Sequence, residues 1–176
     1  KISMCLASRA LGFGIGAQPI LGFNRGAGKY DRIKTTYKIC SIMASVCLIT
    51  GWALCQLFPE QIISLFGHES AAFTDFAVKC MRIYLFGIFC AGFQIVSTNY
   101  FQATGQPLKA AILSSLRQLV LLIPLILILP LFWGLDGILF AGPVADISST
   151  IIVSLFVIPE MKKLNQKISE MRTAAQ

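Results

Sequence analysis

Few side chains in this sequence are equipped for chemistry, and most of those lie in strongly apolar surroundings. Asp146 stands in the middle of an apolar run, with Ser149, Thr150 and Ser154 following at helical spacing. Arg117 lies inside another such run. In a third, Gln94, Thr98 and Gln102 recur at i, i+4 and i+8, with Ser97 alongside. A carboxylate in hydrocarbon costs about 2.5–3.5 kcal/mol on insertion scales, and it tends to bind a proton or find a cation. Two chemistries are open to Asp146: an ion pair with Arg117, or a carboxylate that responds to an ion. By helical rise Arg117 lies about 10 Å from one end of its run, with Asp146 about one turn further along, a gap a guanidinium can close. The stripe of Gln94, Thr98 and Gln102 also has two readings, an interhelical hydrogen-bond seam or a face that meets substrate. Unpaired amides in an apolar medium cost several kcal/mol, so this face must meet protein or water.

Other chemistries find little support. The single histidine, His68, has no ligand partner near it in sequence, there is no Cys-x-x-Cys, and five of the six cysteines lie inside apolar runs. No zinc site, redox site or cofactor is expected. An enzyme would need a nucleophile–base pair or a metal cluster, and no His-Asp, His-His or Cys-His arrangement occurs. Gly12-Phe13-Gly14-Ile15-Gly16-Ala17 formally matches a dinucleotide fingerprint, but no strand precedes it and no ribose-binding acid comes after it.

The elements that must position these residues are set by composition. The chain has 176 residues, 56% of them hydrophobic and 13% charged, about half the charge of a soluble domain. The apolar residues arrive in blocks long enough to cross about 30 Å of hydrocarbon. They run at about 3–23, 39–58, 83–103, 110–133 and 138–158, the first being weakened by Arg9 and several glycines. The expected fold is all-α, a polytopic helical membrane protein with about five transmembrane helices. Between the blocks, 60–80 reads as interfacial helices with a break at Gly67 and an N-cap at Ser70. The tail from 160 to 176 reads as a short cytoplasmic helix.

The formal charge is +7, but the cations are segregated by connection and share no face, which argues against nucleic acid as a partner. Arg25, Lys29, Arg32, Lys34 and Lys38 crowd one connection, Lys109 and Arg117 flank another, and the tail carries Lys162, Lys163, Lys167 and Arg172. By the positive-inside bias these basic loops and the tail are cytoplasmic. That orientation starts Lys1 outside without an export signal, so earlier spans are expected to precede it.

Six glycines fall between Gly12 and Gly28. Gly12/Gly16 and Gly22/Gly26 are small-xxx-small pairs expected to permit close helix packing. Pro19 and Pro124 each remove a backbone donor, so both are candidate helix breaks. Broken helices at membrane depth are tolerated where they line a cavity.

Particular motifs add to this reading. QPILGFNRGAGKYDRIK (Gln18 to Lys34), FPEQIISLFG (Phe58 to Gly67), FQATGQPLKAAILSSLRQLVLLIPL (Phe101 to Leu125) and GLDGILFAGPVAD (Gly134 to Asp146) together resemble the carboxy-terminal half of multidrug and toxic compound extrusion transporters. The resemblance covers nearly the whole chain. It implies helices eight to twelve of a twelve-helix transporter, most of its second six-helix lobe, in a bacterial-type plasma membrane. It further implies a cation-coupled (H⁺ or Na⁺) antiporter exporting amphipathic or cationic small molecules by alternating access between two lobes. The partners implied are the lipid bilayer, the missing N-terminal lobe, the drug and the coupling cation. Gln94, Thr98, Gln102 and Gln18 become the candidate cavity-lining residues, and Asp146 with Arg117 the candidate ion or structural pair. On its own the fragment lacks one wall of the cavity and is expected not to transport. The alternative is a lipid-linked oligosaccharide flippase or polysaccharide exporter of similar architecture, whose cavity would be lined by several cations. Only Arg9 and Arg117 lie within the apolar blocks, which weighs against it.

Overall fold

The computed structural model describes residues 2–65 and 71–174, and among these every regular element is helical. Helix α1 spans Ile2–Gly26, α2 Tyr30–Leu57, α3 Pro59–Ser64 and α4 Ala71–Tyr84. A single 3₁₀ turn, Leu85–Gly87, joins α4 to α5 at Ile88–Ala103. Helix α6, Pro107–Ser115, continues through a π-helical segment, Leu116–Leu122, into α7, Ile123–Ala174. The break expected at Gly67 and the cap at Ser70 lie outside the described residues, as does His68.

Two short turns make neighbouring helices antiparallel, and both use the same device. Gly28 and Gly105 take the left-handed conformation, at φ 67° and 73°. The next amides then reach back five residues, Lys29 N–H to the Asn24 carbonyl at 2.9 Å and Gln106 N–H to the Phe101 carbonyl at 2.9 Å. These bonds satisfy carbonyls that a helix end would otherwise leave unpaired. Pro107 then opens α6, where its missing N–H costs nothing. The sharpest bend is at Gly134, with φ 54° and ψ −135° inside α7. It folds the long helix into two antiparallel arms, 107–133 and 135–174. Contacts between Gln106 and Glu160 and between Arg117 and Asp146 close progressively on the bend.

Helices α1, α2 and α5 form the core. Leu6, Ala10, Ala17 and Leu21 of α1 pack with Ile33, Tyr37, Ala44 and Leu48 of α2 and with Ala91, Val96, Tyr100 and Phe101 of α5. Backbones touch where side chains are absent. A Cβ on Gly92 would stand 3.0 Å from the Ala44 carbonyl group, and one on Gly14 would stand 2.5 Å from Asn99 Nδ2. Gly87 lies against Pro143, where an added Cβ would be 2.7 Å from the proline Cα. The outer surface is strongly apolar, with Leu131, Phe132 and Trp133 at the bend all exposed. In lipid such a surface carries no penalty.

Several sequence expectations are corrected. The glycine pairs are not the packing sites: Gly12, Gly16 and Gly26 have nothing within 4 Å of a would-be Cβ, and Gly22 meets only the Ala103 carbonyl oxygen at 3.6 Å. Close approach falls instead on Gly14, which shares its face with Ala10 and Ala17. Helix α1 also runs unbroken through Pro19, which sits on an exposed face. No break occurs at Pro124 either: the π-helical segment Leu116–Leu122 comes just before it and the helix continues beyond it. The tail is not a separate helix, since α7 continues through Pro159 to Ala174. Among the described residues, three helices are long and apolar enough to cross a membrane: Tyr30–Leu57, Ala72–Ala103 and Pro107–Thr173, the last being the one bent at Gly134.

These contacts set expectations for substitution. Gly92→Leu should destabilise the detergent-solubilised chain by about 1–3 kcal/mol or more through overpacking against α2. Gly16→Ala should be neutral or stabilising by up to about 1 kcal/mol, because an open helical position gains from alanine. Thermal unfolding followed by circular dichroism measures both, and equal effects of the two changes would contradict the packing described.

Candidate functional site

The polar side chains in the middle and second half of α5 are divided by the fold among three neighbouring helices. Successive i+4 steps advance a row by about 40° around the helix, so the row Gln94–Thr98–Gln102 drifts from one neighbour toward the next. Gln94, 3% exposed, faces α7 and accepts a hydrogen bond from Ser149 Oγ at 3.0 Å. At the other end Gln102 faces α1, where Gln18 Nε2 donates to Gln102 Oε1 at 3.3 Å and to Asn99 Oδ1 at 2.6 Å. Thr98 lies between them and donates to the Gln94 carbonyl at 3.0 Å. A third seam joins α5 to α2 through Tyr37 and Ser97, whose hydroxyls are 2.7 Å apart.

Arg117 and Asp146 meet across the hairpin. Arg117 Nε and Nη2 lie 2.8 and 2.6 Å from Asp146 Oδ1. The carboxylate side chain is 11% exposed and the guanidinium 34%. Arg117 projects from the π-helical segment, whose wider turn shifts the helical register and sets this side chain toward α7. The Asp146 carbonyl accepts from Ser149 and Thr150 hydroxyls at 3.1 and 2.8 Å. Gln94, Ser149, Asp146 and Arg117 thus form one connected polar network between α5 and the two hairpin arms.

Two cavities open beside this network. One of about 240 Å³ is bounded by Met4 and Ala7 of α1, Ile88 and Ile95 of α5, and Arg117 and Asp146. The other, of about 180 Å³, is bounded by Leu11, Gln94, Thr98, Asn99, Ser114 and Gln118. Both include Ile95, Arg117 and Gln118, so they adjoin as one cleft between α1, α5 and the 107–133 arm, closed at one part by Ala145 and Asp146 of the other arm. Its walls are largely apolar, with a few convergent amides, one carboxylate and one guanidinium, a composition suited to a small organic molecule.

The sequence-derived candidates are therefore distributed unevenly. Gln94, Thr98, Arg117 and Asp146 share the cleft. Gln18 and Gln102 lie outside both cavities and are occupied with each other and with Asn99. Pro19 is on the outer surface, and Pro124 comes after the π segment, away from the ion pair. Asn99 and Gln118 were not singled out by spacing. Asn99 is adjacent to Thr98 but off its row, and its signal is the small residue Gly14, distant in sequence, which makes room for its amide.

With this geometry established, comparison with known proteins places the chain among them. The MatE family model matches residues 1–128. Among solved structures, the MATE multidrug transporter DinF-BH is 35% identical, with a TM-score of 0.82, covering 90% of this chain and 35% of its own. An outward-facing multidrug resistance MATE transporter of the MOP superfamily superposes with a TM-score of 0.85 at 21% identity, over 94% of this chain and 37% of its own. A MOP-superfamily transporter from Pyrococcus furiosus, whose binding pocket is described as reversed in polarity, gives 0.84 at 20% identity, over 93% and 37%. The last two likenesses bear on fold alone. Curated proteins return no match. The chain spans little more than a third of the length of these solved structures. By the family match over most of its length, and by a helical membrane fold that superposes on these transporters, the chain belongs to the MatE family.

Proposed function

We propose that this chain forms part of a cation-coupled antiporter that exports drugs and other xenobiotics across a membrane by alternating access. It would contribute most of the second lobe. The observation that carries this reading is the cleft between α1, α5 and the 107–133 arm, where Gln94, Thr98 and Asn99 face the same space as the Arg117–Asp146 pair. Apolar walls with amide edges suit amphipathic molecules.

Asp146 is the acid best placed to couple transport to an ion. Paired with Arg117 it is satisfied; a proton or Na⁺ on the carboxylate would release the guanidinium and loosen the contact between the hairpin arms. That gives the two-state element that coupling requires. Gln18, Gln102, Tyr37 and Ser97 act as seams holding α1 and α2 to α5. The basic turns at Gly28 and Gly105 and the tail face the cytoplasm, and the Gly134 bend faces outward. A first lobe supplies the opposite wall of the cavity, and lipid covers the remaining apolar surface.

The reading is tested by replacing the matched portion of the DinF-BH transporter with this chain and following ethidium efflux from cells. Efflux should require an imposed H⁺ or Na⁺ gradient and fall to background in Asp146→Asn. Efflux by a correctly inserted chimera that ignores both gradients would reject antiport. The 176 residues expressed alone should not export ethidium.

The ion pair has its own test. Arg117→Gln should lower stability by about 3–5 kcal/mol, since it leaves a poorly solvated carboxylate unpaired, and Asp146→Asn by less, since the guanidinium it leaves is 34% exposed. The double change should cost less than the sum of the two. Strictly additive losses in thermal unfolding would show that the two side chains act independently.

A further inference from the structure

A second concentration of charge lies at the end of the bundle far from the Gly134 bend, outside the cleft. Arg25 in the last turn of α1, Lys109 near the start of α6, and Lys163 and Lys167 on α7 surround a pocket of about 210 Å³ together with Gln106 and Glu160. Glu160 is 8% exposed and already engaged, by Gln106 Nε2 at 2.6 Å and Lys109 Nζ at 3.6 Å. One acid against four cations leaves an excess of three positive charges. Among the described residues, Arg25, Lys163 and Lys167 have no carboxylate within ion-pairing distance.

Three of the four cations are held in place. Arg25 and Lys167 both lie over the ring of Tyr30, at 5.8 and 5.2 Å from its centroid, and Lys109 lies 5.7 Å from that of Phe101. The Gly28 turn ties Arg25 to Tyr30, the Gly105 turn positions Gln106 and Lys109, and buried Leu164 and Ile168 anchor the tail helix. Three helices bring their donors together around unfilled space. A guanidinium and several ammonium groups converging in this way match the oxygens of a phosphate.

We propose that this pocket binds a phosphate-bearing anion. The pocket sits where α7 passes from the apolar stretch ending at Ile158 to Lys162 and Lys163, the level of a lipid headgroup, and basic pockets between membrane helices bind anionic headgroups. A soluble phosphate compound offers the same chemistry. In either case the bound anion would tie the α1–α2 turn, the α5–α6 turn and the tail helix together.

Purified chain in zwitterionic detergent should retain phosphatidylglycerol over phosphatidylcholine in native mass spectrometry, or bind inorganic phosphate saturably by calorimetry. The first result identifies a lipid and the second a soluble anion. Either binding should weaken at least about tenfold in R25Q/K163Q/K167Q, which removes three charges near the anion. It should be preserved in the charge-matched K34Q/K38Q/K162Q, whose residues lie outside the pocket. Should the pocket triple variant fail to fold, exposed Lys163→Gln alone should still weaken binding several-fold. Equal retention of the two lipids with no phosphate binding, equal losses in both triple variants, or unchanged affinity in Lys163→Gln would overturn the proposal.

Discussion

A helix in hydrocarbon satisfies its own backbone but not its side-chain amides, hydroxyls and acids, and each one left unpaired there costs several kcal/mol. That requirement organises this bundle around α5. Gln94 is met by Ser149, Ser97 by Tyr37, and Asn99 by Gln18, so each neighbouring helix is held at a definite rotation as well as a definite distance. Apolar packing alone would leave those rotations weakly specified, because lipid tails are as apolar as leucine. The Arg117–Asp146 pair does the same for the hairpin arms.

The glycines serve this arrangement by letting backbones approach rather than by making helices flexible. Gly14 admits the amide of Asn99, Gly92 lies against α2, and Gly87 lies against Pro143. The positive-φ glycines have another task, which is to reverse the chain within a few residues while closing carbonyls that would otherwise face an apolar phase. The π-helical segment before Pro124 carries Arg117, which meets Asp146 across the hairpin.

The cleft arises from these contacts. With Gln94 and Thr98 turned partly toward α7 and Asn99 toward α1, the space between α1, α5 and the 107–133 arm keeps polar edges without a side chain filling it. The network beside it is both structural support and the means by which an ion could alter the packing. The basic pocket at the other end of the bundle has a different origin, the convergence of two glycine turns and the tail helix.

The helical membrane character was legible because it depends on apolar run length and charge content, which are local properties. So was the presence of Asp146 and Arg117 inside apolar runs, along with the family motifs that cover most of the chain. Which glycines pack was not legible. Every small-xxx-small spacing looks alike in one dimension, and only the neighbouring helix decides that Gly14 is used while Gly12 and Gly16 stay open. Likewise Pro19 and Pro124 looked alike as helix breakers, yet one lies on an outer face and the other behind a π turn. The partition of the α5 stripe was hidden too, because Gln18 and Asn99 are 81 residues apart in sequence. Sequence alone determined the medium this chain occupies and the polar groups it must satisfy there, since those depend on what the residues are. Tertiary structure alone decided which groups satisfy one another and which remain turned toward a cleft, since that depends on the rotation of each helix against its neighbours.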